Sequence, residues 1–162
     1  MRRTALALAV ILLAISLLPA AAPAAYAADG LPSYQLQYLG PGTPYAINSS
    51  GTVVGASISG NNYSPLFSTG GAAWSPLPVP PGGVSVFPMD INDSGVIVGV
   101  SYDSGWNPLP VRWNPQGAGY AVEVLPRLPG STSGYATAIN NLGQIVGARG
   151  ALAYAPTGTG WL

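Results

Sequence analysis

Three times along the chain an apolar residue, an asparagine turn and a β-branched pair follow one another in the same order. The copies are Ile47-Asn48-Ser49-Ser50-Gly51-Thr52-Val53-Val54-Gly55, Ile91-Asn92-Asp93-Ser94-Gly95-Val96-Ile97-Val98-Gly99 and Ile139-Asn140-Asn141-Leu142-Gly143-Gln144-Ile145-Val146-Gly147. Each predicts a hairpin. The Asn side chain can bond the backbone ahead of it, Gly accepts positive φ without a Cβ clash, and the pair after them is strand-forming. The asparagines lie 44 and 48 residues apart, a period that marks a repeat architecture.

Other elements recur around these hairpins. Tyr34 to Leu39 alternates, with Tyr34, Leu36 and Tyr38 on one side and two glutamines on the other, and predicts a half-buried strand. Tyr120 to Leu125 repeats it, and Ala72 to Leu77 is a weaker copy whose Pro76 predicts a sheet edge or a very short strand. Between these strands and the next Asn, Gly82 aligns with Gly130 and Phe87 with Tyr135. After each hairpin comes a stretch of changing length, Ala56 to Pro65 and Val100 to Pro108, read as variable loops on one side of the scaffold. An aromatic strand comes next, in which Trp113, Tyr154 and Phe67 are read as one core position. The expected fold is all-β, a propeller-like array of three four-stranded repeats at about 34–71, 72–119 and 120–160, with a β-trefoil as the alternative. Trp161-Leu162 begins a further copy of the Tyr34 strand, so the amino-terminal strand is expected to complete the last sheet and leave no bare edge. A self-closed monomer, a homo-oligomeric ring and a fragment of a longer array all fit this pattern.

These units, with their x-x-G-x-[VI]-V-G turns and an aromatic W-x-P-x-G strand, resemble the bacterial extracellular HAF repeat family over essentially all of Tyr34 to Leu162. The His-Ala-Phe triplet of that family is replaced here by Pro110-Val111-Arg112-Trp113 and Ala151-Leu152-Ala153-Tyr154. The resemblance implies a secreted, β-propeller-like protein without an established biochemical role.

The amino-terminal residues change the picture by giving an address. Arg2-Arg3, the apolar run Ala5 to Leu18 and Ala25-Tyr26-Ala27 read as a secretory signal over 1–27 with an A-x-A cleavage site. Pro19 and Pro23 interrupt the run short of the roughly 20 apolar residues that span a bilayer, so no stable membrane insertion is expected after cleavage. The remaining 28–162 reads as one extracellular domain. It carries Arg112, Arg127 and Arg149 against Asp29, Asp90, Asp93, Asp103 and Glu123, a net charge of −2. Three scattered arginines cannot supply the phosphate contacts of a nucleic-acid surface. With no cysteine there is no disulfide framework, so a core must hold the domain.

Composition also narrows the chemistry. There is no His, Cys or Lys, which removes most general bases, thiol nucleophiles and the commonest zinc ligands. No cofactor or metal is expected. Asp90 to Gly95 has acids and amides before a Gly, as calcium loops do, but its spacing is off by one and its sister loops lack an acid. The sequons at Asn48, Asn62 and Asn92 include two of the repeated turns, which favours a turn role. Trp106, Tyr102 and Tyr63 fall in the variable stretches beside Asp103, Asn107, Asn61 and Asn62. Flat rings flanked by hydrogen-bonding side chains are the composition of a glycan-binding or protein-binding surface. The reading is a non-enzymatic binding or surface-interaction module with Trp106, Tyr102, Asp103 and Tyr63 as binding residues. A carbohydrate-active enzyme using Asp103 with Asp90 or Asp93, or an inactive piece of a longer repeat protein, are the alternatives.

Overall fold

The structure, a computed structural model, describes residues 35–127, 131–149 and 152–154. The chain divides into two compact units, Met1–Leu36 and Gln37–Leu162, and all the described strands belong to the second. Residues 1–27, which the sequence reads as a secretory signal, lie outside the described residues. The fold is all-β, with antiparallel sheets, none of them closed, and no helix among the described residues. The first sheet orders β1 (Thr43–Ile47), β2 (Val53–Ser59), β3 (Asn62–Ser68) and β4 (Ser75–Pro76) as consecutive neighbours. The second repeats that order with β5 (Ser85–Ile91), β6 (Ile97–Tyr102), β7 (Pro108–Gln116) and β8 (Gly119–Val124). In the third, β10 (Ile145–Arg149) lies between β9 (Tyr135–Ile139) and β11 (Leu152–Tyr154).

The three sequence copies fold into the same corner. Asn48 Oδ1 accepts the Thr52 amide, Asn92 Oδ1 that of Val96 and Asn140 Oδ1 that of Gln144, all at 2.9 Å. The next glycines, Gly51, Gly95 and Gly143, turn the chain at φ of 77, 80 and 78°, where a Cβ would be strained. The first strand of each sheet also carries the same bulge, between Pro44 and Ala46, between Pro88 and Asp90, and opposite Val146 and Gly147. The bulge accounts for the last glycine of the motif. A Cβ on Gly55 would collide with the Thr43 carbonyl and one on Gly99 with that of Phe87.

Successive sheets pack through apolar side chains. Val54 of the first sheet meets Val86, Ile91, Ile97, Val111 and Trp113 of the second, with Leu77 filling the seam. Val98 of the second meets Ala136, Ile139 and Ile145 of the third, with Leu125 in the place of Leu77. Leu77 and Leu125 are held alike, their amides donating to Pro65 O and Pro110 O at 2.9 and 2.8 Å. Trp113 is fully buried and its Nε1 donates to Pro78 O at 2.7 Å, so its ring is sealed without an orphaned donor.

The corners are bonded to one another as well. Asn48 Nδ2 donates to Asn92 O at 3.0 Å, and Asn92 Nδ2 donates to Asn140 O at 3.2 Å. Beside this ladder Ser49 N donates to Asp93 Oδ1 and Asp93 N to Asn141 Oδ1, both at 2.9 Å. Thus one asparagine closes its own turn through its oxygen and reaches the next turn through its nitrogen. The central Asn92 is only 5% exposed.

Several expectations are corrected. Gln35 to Leu39 is not a strand. Leu39 O accepts the Trp74 amide and Gln37 Nε2 donates to Gly71 O, so Gln37 to Leu39 lie along the first sheet's own outer edge. That edge is the two-residue β4, whose Pro76 has no donor for a ladder. Tyr38 is consequently exposed, and its alternation with the glutamines marks no buried face. The stretch Ala56 to Pro65 is not a loop either. Ser57 pairs with Ser64, Ile58 with Tyr63 and Ser59 with Asn62, extending the hairpin to its tip. Phe67, Trp113 and Tyr154 do not share one position. Their strand partners are Val54, Ile97 and Gly147, where one position would require Val53, Ile97 and Ile145. Finally, sheets and sequence repeats are offset by one strand, since β4 and β8 end the sheets that precede them. Residues 155–162, which carry the start of the further copy, lie outside the described residues.

Candidate functional site

The expected binding residues lie at the end of the sheets away from the asparagine corners, and the structure brings their rings together. Tyr63 stands near the start of β3 and Tyr102 at the end of β6, so both are on strands, and Trp106 is in the hairpin between β6 and β7. Phe87 of β5 links them, its ring centroid 4.2 Å from that of Tyr63 and 5.9 Å from that of Tyr102. Tyr102 lies 5.9 Å from Trp106 and 6.4 Å from Tyr135 of β9. The result is a connected strip of five rings drawn from all three sheets. Phe87 and Tyr135 escape the sequence reading of the site, although their alignment carries the signal. They occupy one register position, opposite Val100 and Ala148, and therefore recur at the same end of successive sheets.

Trp106 is the outermost ring, 54% exposed, and the only described residue other than glycine with positive φ, at 61°. The left-handed conformation costs an L-residue roughly 1–2 kcal/mol, and Asp103 supplies the bonds that hold it. Its Oδ1 accepts the amides of Gly105 and Asn107 at 2.8 and 2.9 Å, and both carboxylate oxygens take Asn107 Nδ2 at 3.1 Å. The Trp106 amide closes the turn on Asp103 O at 2.9 Å. These bonds, those from Asn107 first, hold the Asp103 carboxyl below the usual range. Asp103 thus shapes the loop that presents the indole. Burial pushes the Tyr102 phenol above its ordinary value, with Tyr135 adding to the rise, so the Tyr102 hydroxyl stays a neutral donor at neutral pH.

The other described carboxylates are also engaged. Asp90 Oδ2 accepts the Ile139 amide at 2.8 Å and ties the second sheet to the third. Asp93 takes Ser49 N and, at Oδ2, Asn141 Nδ2 at 2.6 Å. Glu123 Oε1 takes Arg112 and Asn114 across β7 and β8. The sequon asparagines 48 and 92 have their amides in the corner ladder. Comparison with known proteins gives no match: no family model fits the chain, and no curated protein or solved structure is similar to it.

Proposed function

We propose that this is a secreted, propeller-like binding module that takes a glycan or a protein on its aromatic strip, without turning it over. The observation that carries the reading is the strip itself, with Trp106 held outward against its backbone preference beside Tyr102, and with three further rings continuing the strip from Tyr102. Rings presented on strand ends lose little entropy when a flat apolar partner face settles on them. Asp103 and Asn107 at the rim suit hydroxyl or amide groups of such a partner. The non-catalytic half of the reading is supported by the described carboxylates, Asp90, Asp93, Asp103 and Glu123, each of which is occupied in holding a turn, a seam or a strand pair.

The propeller-like description is favoured over a trefoil by the meander order within each sheet and by the repeated use of one face toward the next sheet. Export rests on the leader, and a distant tie to HAF repeats rests on the sequence pattern alone. A glycan array with the full chain tests the binding half. Signal lost in Trp106→Ala and kept in Leu142→Ala, a residue exposed at the opposite corner, supports it. Equal signal in both defeats the assignment of the strip. Release of sugar from any bound polysaccharide, abolished in Asp103→Asn, would instead establish the enzyme.

A further inference from the structure

Each internal seam shows what one face of a sheet requires. Ile91 and Ile139 are 5 and 9% exposed because the preceding sheet covers them, whereas Ile47, at the same register in the first sheet, is 66% exposed. Val53 is likewise half-buried where Ile97 and Ile145 are sealed. Together with Leu39, Pro44 and Tyr45 these residues line an open apolar depression of about 390 Å³. The matching half is on the third sheet. Val146 has the register of Val54 and Val98, which reach into the following sheet, and it is only half-buried. Asn140 Nδ2 has no following corner among the described residues and turns back to Gln144 Oε1 at 2.7 Å.

We propose that the open face of the first sheet receives the third sheet of a second copy of this chain, head to tail, repeating the internal seam. Asn140 Nδ2 then donates to Asn48 O of the partner copy, as Asn48 and Asn92 do within the chain. The Asn48 carbonyl already accepts the Gly51 amide, as Asn92 and Asn140 carbonyls accept theirs, and a carbonyl has a second lone pair. The argument for a second copy over an unrelated partner is this continuity: both halves of the seam occur on one chain, in the register that the two internal seams use. A head-to-tail contact closes into a ring when its rotation allows. Two copies bring six sheets, within the usual range of about 4–8 for a closed propeller.

The test is the mass in solution of the chain as released from a secreting host, by sedimentation velocity over a range of concentrations. The expected species is a dimer. Ile47→Asp blocks the head and Val146→Asp the tail, and each is expected to weaken self-association at least about a hundredfold by placing a charge in an apolar seam. Mixed together, the two variants form a one-to-one pair through the intact tail of the first and the intact head of the second. Asn140→Ala, at an exposed corner, gives a second tail variant if Val146→Asp does not fold. A monomer at every concentration overturns the proposal, whether residues 1–34 or another protein covers the face. So does a wild-type dimer with tail variants unaffected, which would mean a head-to-head contact. Failure of the paired variants to complement overturns it too.

Discussion

Replacing Asn92 by Ala removes the central joint of the ladder while leaving every backbone atom in place. The Val96 amide loses the Asn92 Oδ1 acceptor at 2.9 Å in a part-buried position. An amide left without a partner costs about 1–3 kcal/mol. Asn140 O loses the Asn92 Nδ2 donor but keeps the Gly143 amide at 3.0 Å, so that loss is about 0.5–1.5 kcal/mol. The sum is about 1.5–4.5 kcal/mol, a large part of the stability of a small domain. Asn140→Ala is the control, both variants being read at a dilution where the chain is monomeric, so that no copy-to-copy bond at Asn140 contributes. Its bonds to Leu142 N, Gln144 N and Gln144 Oε1 are exposed, so water replaces them and the loss is about 1 kcal/mol or less. Urea unfolding followed by tryptophan fluorescence reads both. With a slope of about 2 kcal/mol per molar, the middle of the usual range, the Asn92→Ala midpoint falls by about 1–2 M. If the two variants unfold within about 0.5 kcal/mol of each other, a typical additivity error, the cross-sheet ladder contributes nothing and the reasoning fails.

Three further outcomes are expected. Trp106→Gly releases the positive-φ strain and raises the melting temperature while abolishing ligand binding, whereas Trp106→Ala loses binding without that gain; differential scanning calorimetry beside a binding assay separates the two. Gly99→Ala, whose Cβ meets the Phe87 carbonyl, costs about 1–3 kcal/mol or more in urea, against about 1 kcal/mol for Gly60→Ala, which meets open space at φ 60°. Asp93, Asp103 and Glu123 are all lowered by hydrogen bonds, so the stability they bring is present above their unfolded values near pH 4 and is lost as pH falls through the folded values. Tyr45, Tyr102 and Tyr120 are raised by burial, so their contribution is present below about pH 10 and is lost as pH climbs through the folded values. With no histidine in the chain, the urea midpoint is therefore flat between about pH 5 and 9, and a slope near pH 6 to 7 would contradict these assignments.

The features legible in the sequence are the local ones. An asparagine that bonds the amide four residues on and a glycine at positive φ act within one turn, so residue type and spacing alone reveal the three corners. Pro76 marks its strand as a short edge for the same reason. Pairing across the chain is less visible. The alternation of Tyr34 to Leu39 looks like a strand, yet a strand needs a bare ladder, and the edge beside it is two residues long. Aromatic content misplaces the Trp113 position, because the register of a strand is fixed by its partners; Ser68, not Phe67, lies opposite Val53 as Trp113 lies opposite Ile97. Of the candidate site, Tyr63, Tyr102 and Trp106 are legible as aromatics near amides and acids. Phe87 and Tyr135 stay hidden because a repeat position accounts for them without a site, and only sheet stacking brings them to the same end. The role of Asp103 as the brace of the Trp106 turn likewise depends on a loop geometry that spacing alone does not specify.

The ladder runs one way, since Asn48 and Asn92 give their side-chain amides to the turn that comes later in the chain, and Asn92 and Asn140 accept one at their carbonyls from the turn before. A segment running from one asparagine to the next, 44 or 48 residues here, is therefore the smallest piece that could be duplicated or excised in the gene with every remaining donor finding an acceptor. Partial insertions inside that interval would have to be absorbed at the hairpin tips, where length already differs between copies. Such a molecule can lengthen or shorten by whole modules while its row of asparagine corners keeps the same chemistry.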